Sequence, residues 1–302
     1  IRDSSVTGVQ TCALPICTAP AAAGEAAWDS LVGAFSDRDF AGFRDFIMNA
    51  AGISLSAQKK NLVVSRLGRR LKLTGCRNFS DYHRLITSGQ APEEAQTAID
   101  LLTTNETHFF REPQHFAELR RQLAARRQPG WTARVWSAAS STGEEAYSIA
   151  MTLAETLGQT APWEVFASDI SRRVLQQAVS GLYGMARARE IPPELLRRYC
   201  LKGSGPFAGQ LQIDQALRQR VSFMQVNLTR ALPQIGPFDV IFLRNVMIYF
   251  DLQTKQQVVA RLLEKLQPGG LFIVGHAETL FGVTDRLEMI APTVYLLPER
   301  QA

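Results

Sequence analysis

No stretch of the 302 residues approaches the roughly 20 consecutive apolar positions that a membrane helix needs. The richest apolar runs, Val240 to Leu243 and Leu271 to Val274, have only the length of strands. A soluble protein without membrane insertion is therefore expected, and its cysteine usage fits a reducing, cytoplasmic setting. Cysteine is scarce: the four present, Cys12, Cys17, Cys76 and Cys200, show neither zinc-type pairing nor a nearby histidine ladder. A disulfide framework is at odds with so large a core, and no metal is expected. Charge of one sign is also missing in quantity, since 33 Lys and Arg against 28 Asp and Glu leave a net +5. Such a surplus suits an acidic partner without demanding a polyanion, and nucleic acid is not the expected partner. The G-x-G-x-x-G fingerprint of pyrophosphate-binding folds is absent as well.

The first segment, IRDSSVTGVQTCALPIC, reads neither as an amphipathic helix nor as a signal peptide with a charged start and an apolar middle. It resembles a translated sequencing adapter, and residues 1–27, with the Ala-rich stretch from Thr18, are expected to be a disordered or extraneous tail. The rest is long enough for two domains. From Trp28 to Thr104 apolar residues recur at helical spacing, as in Phe40, Phe43, Phe46 and Ile47 and again in Tyr82, Leu85 and Ile86, which predicts a small all-helical domain over 28–104. A new helix is expected to begin near Glu112 with Pro113 in its first turn.

Over 105–302 strand-like runs alternate with helical ones. ARVWS precedes a helix over Glu144 to Leu157, and WEVFAS one over Arg172 to Ser180. VSFMQV and FDVIFL then lead to a helix over Gln253 to Leu266 closed by Pro268 and Gly269, followed by GLFIVG and TVYLL. This alternation defines an α/β class, a Rossmann-like, mostly parallel sheet with helices on both faces. A Gly-rich stretch over about 200–221, KGSGPFAGQLQIDQ at its heart, breaks the rhythm and predicts a small inserted antiparallel β-subdomain. A monomer is expected.

In such sheets ligands bind beyond the carboxyl ends of the strands. The loop after the first strand, SAASSTGEEAYSIA, offers small residues, a turn at Gly143 and two acids, Glu144 and Glu145, at a helix start. Acids there repel a diphosphate and attract a cation such as an ammonium, although they also complement the helix dipole. Asp169 at the end of the second strand is placed to accept ribose hydroxyls, with a helix cap as its alternative role. In FDVIFLRNVMIYFD an apolar strand ends abruptly in Arg244 and Asn245, with Tyr249 close behind. Asn227 and Leu228, after VSFMQV, are placed to flank a base. Acid at the first helix and acid after the second strand together describe a nucleoside without phosphates.

TTNETHFFRE, RVWSAASSTGEEAYSIA, FASDI, the Asn227–Leu228 pair and FDVIFLRNVMIYFD occur in this order, and from about Phe35 to Leu297 the chain resembles the bacterial chemotaxis receptor methyltransferases, the CheR family. The resemblance implies an S-adenosyl-L-methionine methyltransferase sheet that esterifies receptor glutamates and leaves S-adenosyl-L-homocysteine. It implies that Asn105, Thr107, Arg111, Glu145, Asp169, Asn227, Leu228, Arg244 and Asn245 contact the cofactor, with Arg111 and Tyr249 near the transferred methyl. It also implies that basic residues of AQKKNLVVSRLGRRLKL, with Lys59, Arg66, Arg69 and Arg70 as candidates, meet the cytoplasmic helical region of methyl-accepting receptors. A solvated charged face is the alternative for them. The β-subdomain resembles one that in some members docks a receptor's C-terminal peptide by strand addition. Two other functions remain as alternatives. A nucleic-acid methyltransferase on the same fold would need a cysteine presented after proline or an Asn/Asp-Pro-Pro-aromatic loop, and neither is present; a non-catalytic S-adenosylmethionine-binding module would be expected to have lost its polar positions.

Overall fold

The computed structural model describes residues 2–3, 35–126 and 128–299. The chain divides into two compact units, one of residues 6–104 and one of residues 1–5 with 105–302. The first contains α1 (Asp37–Ala51), α2 (Lys60–Thr74), α3 (Phe79–Thr87) and α4 (Pro92–Leu102). α1 begins with a capping box, in which Ser36 Oγ accepts from the Asp39 amide at 3.1 Å and the Asp39 carboxylate accepts from the Ser36 amide at 3.0 Å. Phe40, Phe43 and Ile47 of α1, Val63, Val64, Leu67 and Leu71 of α2, Tyr82 and Ile86 of α3 and Leu102 of α4 are all buried, so the helical periodicity read from the sequence is the core stripe of the unit. Each such side chain contributes roughly 1.5–3 kcal/mol on burial.

Among the described residues the second unit carries eleven strands in chain order: β1 (Arg2–Asp3), β2 (Ala133–Ser137), β3 (Trp163–Asp169), β4 (Leu182–Gly184), β5 (Cys200–Lys202), β6 (Gln210–Ile213), β7 (Val221–Gln225), β8 (Phe238–Leu243), β9 (Leu266–Val274), β10 (Glu288–Ala291) and β11 (Val294–Leu296). Its helices are α5 (Gln114–Arg126), α6 (Glu144–Leu157), α7 (Arg172–Ser180), α8 (Pro193–Tyr199), α9 (Gln215–Arg218) and α10 (Leu252–Leu263). Seven strands form one sheet in the order β10-β11-β9-β8-β2-β3-β7. β7, β3, β2, β8 and β9 run parallel, and β11 is antiparallel to both β9 and β10. The α/β class with a helical N-terminal domain and a small antiparallel sheet is therefore borne out. β8 is buried along its whole length, as a central parallel strand covered on both faces must be. The strand order reverses at β2, whose neighbours are β3 and β8, and this is where an open parallel sheet leaves its crevice.

The structure departs from the sequence reading in several places, among them the unexpected strand β10 and the start of α5 at Gln114, just past Pro113. The helix expected over Gln253 to Leu266 stops at Leu263, and Pro268 and Gly269 lie inside β9. Pairing between β8 and β9 is irregular between Phe238 and Val240, and a bulge of this kind accommodates a proline that cannot donate to the ladder. The antiparallel sheet, β5-β6-β4, recruits Leu182–Gly184 from upstream of the glycine-rich stretch, because a three-residue strand is too short to show a period. Arg2–Asp3 pairs parallel with β5, while most of the N-terminal tail read as extraneous lies outside the described residues. Among the described residues no helix is long and apolar enough to cross a membrane.

Candidate active site

The register of the parallel strands decides which side chains meet. Ser137, the last residue of β2, lies opposite Ala167 of β3 and Phe242 of β8. Asp169 and Arg244 each lie two residues further on, so they overhang the end of β2 from either side. Between them runs the loop 138–143 that leads into α6.

Asp169 anchors that loop. Its carboxylate accepts from the Ser141 amide at 2.9 Å and from the Ser171 amide, at the start of α7, at 2.9 Å. It is nearly buried, at 6 % exposure. Ser141 Oγ in turn donates to the Asn105 carbonyl at 2.9 Å, tying the segment before α5 to the same loop. Thr107, two residues on, is half-buried. Gly143 closes the loop at φ 94° directly before α6, and an added Cβ would stand 2.8 Å from Ala178 Cβ and 2.9 Å from the Tyr183 hydroxyl. Gly143→Ala is therefore expected to destabilise the protein by about 1–3 kcal/mol, from left-handed strain plus overpacking, measured by urea unfolding. A change under half a kcal/mol would mean that the loop relaxes freely.

The two acids at the start of α6 part company. Glu144 is fully buried, bonded to Arg187 and accepting from Thr142 Oγ1 at 2.6 Å, so it belongs to the core. Glu145 joins the strand-end network: Ser137 Oγ donates to its Oε1 at 2.7 Å and Arg244 Nη1 to its Oε2 at 2.9 Å. Arg244 Nη2 donates to the Arg111 carbonyl at 2.6 Å and lies 3.0 Å from Glu112 Oε2. The Arg244 side chain is 1 % exposed against 12 % for each carboxylate, so a buried cation is held between two anions. Burial pushes the Glu112 carboxyl up, but the Arg244 charge and hydrogen bond outweigh it and hold it below the usual carboxylate range. Burial, and then the Arg244 charge, push the nearby His115 imidazole down to about 4.

Asn245 turns the chain sharply after β8, at φ 58°. Its amide donates to Glu278 Oε2 at 2.8 Å, and Glu278 also accepts from the amides of Gly275 at 2.8 Å and Ile248 at 3.3 Å. Burial pushes the Glu278 carboxyl up, opposed by these backbone N–H groups. Gly275 leaves room for this knot, since a Cβ there would sit 2.9 Å from Glu278 Oε2. Tyr249 ends the short turn Met247–Tyr249 that Glu278 pins, and is half-buried. Arg111 is 30 % exposed, donates to the Glu106 carbonyl at 3.2 Å, and stands 4.0 Å by its Nε from Glu112 Oε1, which leaves most of its N–H donors uncommitted. Asn227 Oδ1 accepts from the Thr229 amide and hydroxyl at 3.0 and 2.7 Å, forming the turn after β7, and the Leu228 beside it is buried.

Asp169, Glu145, Arg244, Asn245 and Arg111 thus gather around the ends of β2, β3 and β8. Glu112 and Glu278 escape the sequence reading. The signal for Glu278 is its place in GHAET, just beyond the end of β9, where the strand-end rule applies as it does to β8.

In the helical unit, the four basic candidates divide. Arg66 Nη1 donates to the carbonyls of Leu102 and Thr103 at 3.0 and 2.9 Å, closing the end of α4. Arg70 forms a two-point ion pair with Glu94, whose Oε1 also accepts from the Tyr82 hydroxyl. Lys59 and Arg69 are exposed.

Small residues at the first strand turn, an acid at the end of the second strand and a second acid at the following helix are a lining that fits a nucleoside bearing a cationic amino-acid tail. Ser140 Oγ and Arg244 Nε add two buried polar atoms without a partner among the described residues. Fold and family match together define a methyltransferase of the S-adenosylmethionine-binding class. Residues 105–296 match the family described as CheR methyltransferase, SAM binding domain, and residues 38–103 match CheR methyltransferase, all-alpha domain. The chain is 46 % identical over 267 residues to the chemotaxis protein methyltransferase of Escherichia coli strain K12, covering 87 % of this chain and 92 % of that protein. It is 43 % identical over 272 residues to the Salmonella typhimurium protein of the same name, covering 89 % and 93 %. With chemotaxis protein methyltransferase 2 of Pseudomonas aeruginosa it shares 42 % over 266 residues, covering 86 % and 93 %. The chain belongs to the CheR methyltransferase family and is a methyltransferase enzyme.

Proposed function

We propose that the protein transfers a methyl group from S-adenosylmethionine to glutamate side chains of transmembrane chemoreceptors, forming glutamyl methyl esters. The observation that carries this reading is the gathering of Asp169, Glu145, Arg244 and Arg111 at one strand edge in a chain that aligns almost end to end with chemotaxis protein methyltransferases. In this reading Asp169 receives the ribose, Glu145 and the small loop the methionine moiety, and Asn227 with Leu228 the base. Asn105 and Thr107 line the approach. A glutamate carboxylate, with an ordinary pKa near 4.3, is already ionised at neutral pH, so the acceptor needs no general base. Bound S-adenosylmethionine supplies an activated methyl on a sulfonium. Arg111 orients the incoming carboxylate by its uncommitted N–H donors, and Tyr249 bounds the same space. Bringing an anion in line with its target and stripping water from it supplies roughly 7 kcal/mol or more of a barrier of this kind. A cysteine-dependent base methylation has no support, because burial and the Asp214 charge push the buried Cys200 thiol up to about 12.

Incubation with methyl-labelled cofactor and chemoreceptor-containing membranes, followed by alkali, tests the reading. Release of volatile methanol is expected. Label that survives alkali would identify nitrogen or carbon methylation and overturn it.

The receptor would meet the helical unit through Lys59 and Arg69, the two of the four candidates that are exposed. Arg69→Glu is expected to lower receptor methylation about tenfold at limiting receptor, roughly 1.4 kcal/mol of lost attraction, with cofactor affinity unchanged. Arg70→Ala is the contrasting variant: it should lower the melting temperature, since it strands Glu94. Equal methylation by Arg69→Glu and wild type would remove α2 from the docking surface.

A further inference from the structure

Among the described residues one group of His, Cys, Asp and Glu brings its ligand atoms within 4.8 Å of one another: Glu112, His115 and His276. We propose that these three residues form a binding site for a divalent transition-metal ion of the zinc type, an inference that goes beyond the methyl-transfer reading and whose Glu112 borders Arg244 and Asn245. It revises the expectation of no metal, which rested on cysteine and histidine spacing. His115 and His276 are two of the chain's four histidines, too far apart in sequence to show a ligand pattern.

The tautomer of His115 is fixed by its neighbours. Its ring is fully buried, and Nε2 lies 2.7 Å from Thr293 Oγ1. The Pro292 carbonyl stands 2.6 Å from the same hydroxyl, and both contacts are satisfied together when the hydroxyl donates to that carbonyl and accepts from His115, which assigns the hydrogen to Nε2. Nδ1 then presents a lone pair. Although buried, it has no hydrogen-bond partner among the described residues, and it lies 3.4 Å from Glu112 Oε2, another electron-rich atom. A buried imidazole lone pair without a partner, facing a carboxylate oxygen, leaves a place where a cation can be shared beside the Arg244 guanidinium that Oε2 already meets.

The spacing fits one. Zinc holds nitrogen and oxygen ligands at about 2.0–2.2 Å, which places tetrahedral ligand atoms roughly 3.3–3.5 Å apart. The His115–Glu112 separation has that length already. His276 lies at the outer side, exposed, with its ring centroid 5.3 Å from that of His115 and its amide donating to Glu112 Oε2 at 3.2 Å. It has the freedom to turn in as the third ligand, giving up its contact with the Gln114 amide. A fourth position stays open to water. Two imidazoles and one carboxylate suit zinc, cobalt or nickel and are poorly suited to magnesium or calcium. Thr293, orienting the far nitrogen of His115, plays the part that outer hydrogen-bond partners of metal-bound histidines commonly play. It does so at φ 61°, and Glu112 sits at φ 58°, both unfavourable for residues with a Cβ.

Arg244 opposes binding, since its guanidinium lies 3.0 Å from Glu112 Oε2. Oε2, the oxygen that stands 3.4 Å from His115 Nδ1, would share the ion's field with that guanidinium, while Oε1 keeps longer contacts of 3.5 Å to Asn245 Nδ2 and 4.0 Å to Arg111 Nε. The repulsion sets the expected affinity below that of an all-protein structural zinc centre.

The test uses the tag-free full chain, stripped with chelator and titrated with Zn²⁺ by calorimetry and with Co²⁺ by visible absorption. One saturable site per chain is expected, with the intense visible bands of four- or five-coordinate cobalt. His276→Ala, at an exposed position that leaves the fold intact, should weaken binding at least about tenfold, and Thr293→Val by roughly 10–100-fold. Absence of saturable uptake of both ions, or full-strength binding in both variants, would overturn the proposal.

Discussion

Replacing Arg244 with alanine is expected to be the most damaging single change near the crevice, lowering stability by about 3–5 kcal/mol. The cause lies less in the hydrogen bonds that disappear than in the charges left behind. Glu112 and Glu145 are each 12 % exposed and both lean on this guanidinium, so its removal leaves Glu145 largely out of water without its counter-charge and Glu112 with only the more distant Arg111, 4.0 Å away. The Arg111 carbonyl loses its donor at the same time. For a unit of about 200 residues, each kcal/mol moves the melting temperature by roughly 2–4 °C, so a fall of roughly 6–20 °C is expected. Arg244→Lys should recover only part of it, because one ammonium cannot reach Glu145, Glu112 and the carbonyl together. Thermal melts of the three proteins decide the matter. A melting temperature within two or three degrees of wild type for the alanine variant would show that the carboxylates are solvated and that the ion network contributes little.

How much of the molecule is legible in the sequence depends on the range of the interaction that fixes each part. α6 and α7 can be read to the residue, because an apolar stripe at 3.6-residue spacing and glycines just past the ends are local signals. Asp169, Arg244 and Asn245 are legible for a related reason: a polar residue at the end of an apolar strand is conspicuous, and the strand-end rule marks it as a candidate for the crevice. What stays hidden is set by partners distant in the chain. Glu144 and Glu145 are adjacent and chemically identical, yet one is neutralised by Arg187 and the other by Arg244. Nothing in their spacing separates them. Arg66 and Arg70 likewise stand on a basic stripe, and only the fold reveals that the carbonyls ending α4 and the Glu94 carboxylate take them up. Lys59 and Arg69, one on the turn before α2 and one on α2 itself, remain exposed instead. β4 escapes because three residues cannot display a period, and the helix before β9 comes out too long because Pro268 reads as a terminator when it occupies a bulge.

Asp169→Asn is expected to weaken S-adenosylhomocysteine binding by about 10–100-fold or somewhat more, the loss that follows from withdrawing roughly 1.5–3 kcal/mol of charge-assisted hydrogen bonding. Asn is the informative substitution because the proposed reading gives Asp169 two duties. One is internal: its oxygens accept from the Ser141 and Ser171 amides and so tie the first-strand loop to the start of α7. The other is toward the ligand, where only a carboxylate can accept from both hydroxyls of a ribose while still accepting from backbone amides. Asparagine keeps one oxygen and places an NH2 group against one of the two amides, so it partly preserves the tether and removes the anion. If tethering were the sole role, the melting temperature would fall while a folded variant bound S-adenosylhomocysteine within about threefold of wild type. If the ribose role holds, calorimetry should show the larger loss of affinity even at temperatures where the variant is fully folded. Glu145→Gln supplies the internal comparison. It also removes an anion from the crevice, but on the side assigned to the amino-acid tail, so adenosine alone should discriminate the two. Asp169→Asn should lose adenosine affinity, whereas Glu145→Gln should retain it, and the reverse pattern would exchange the roles of the two acids.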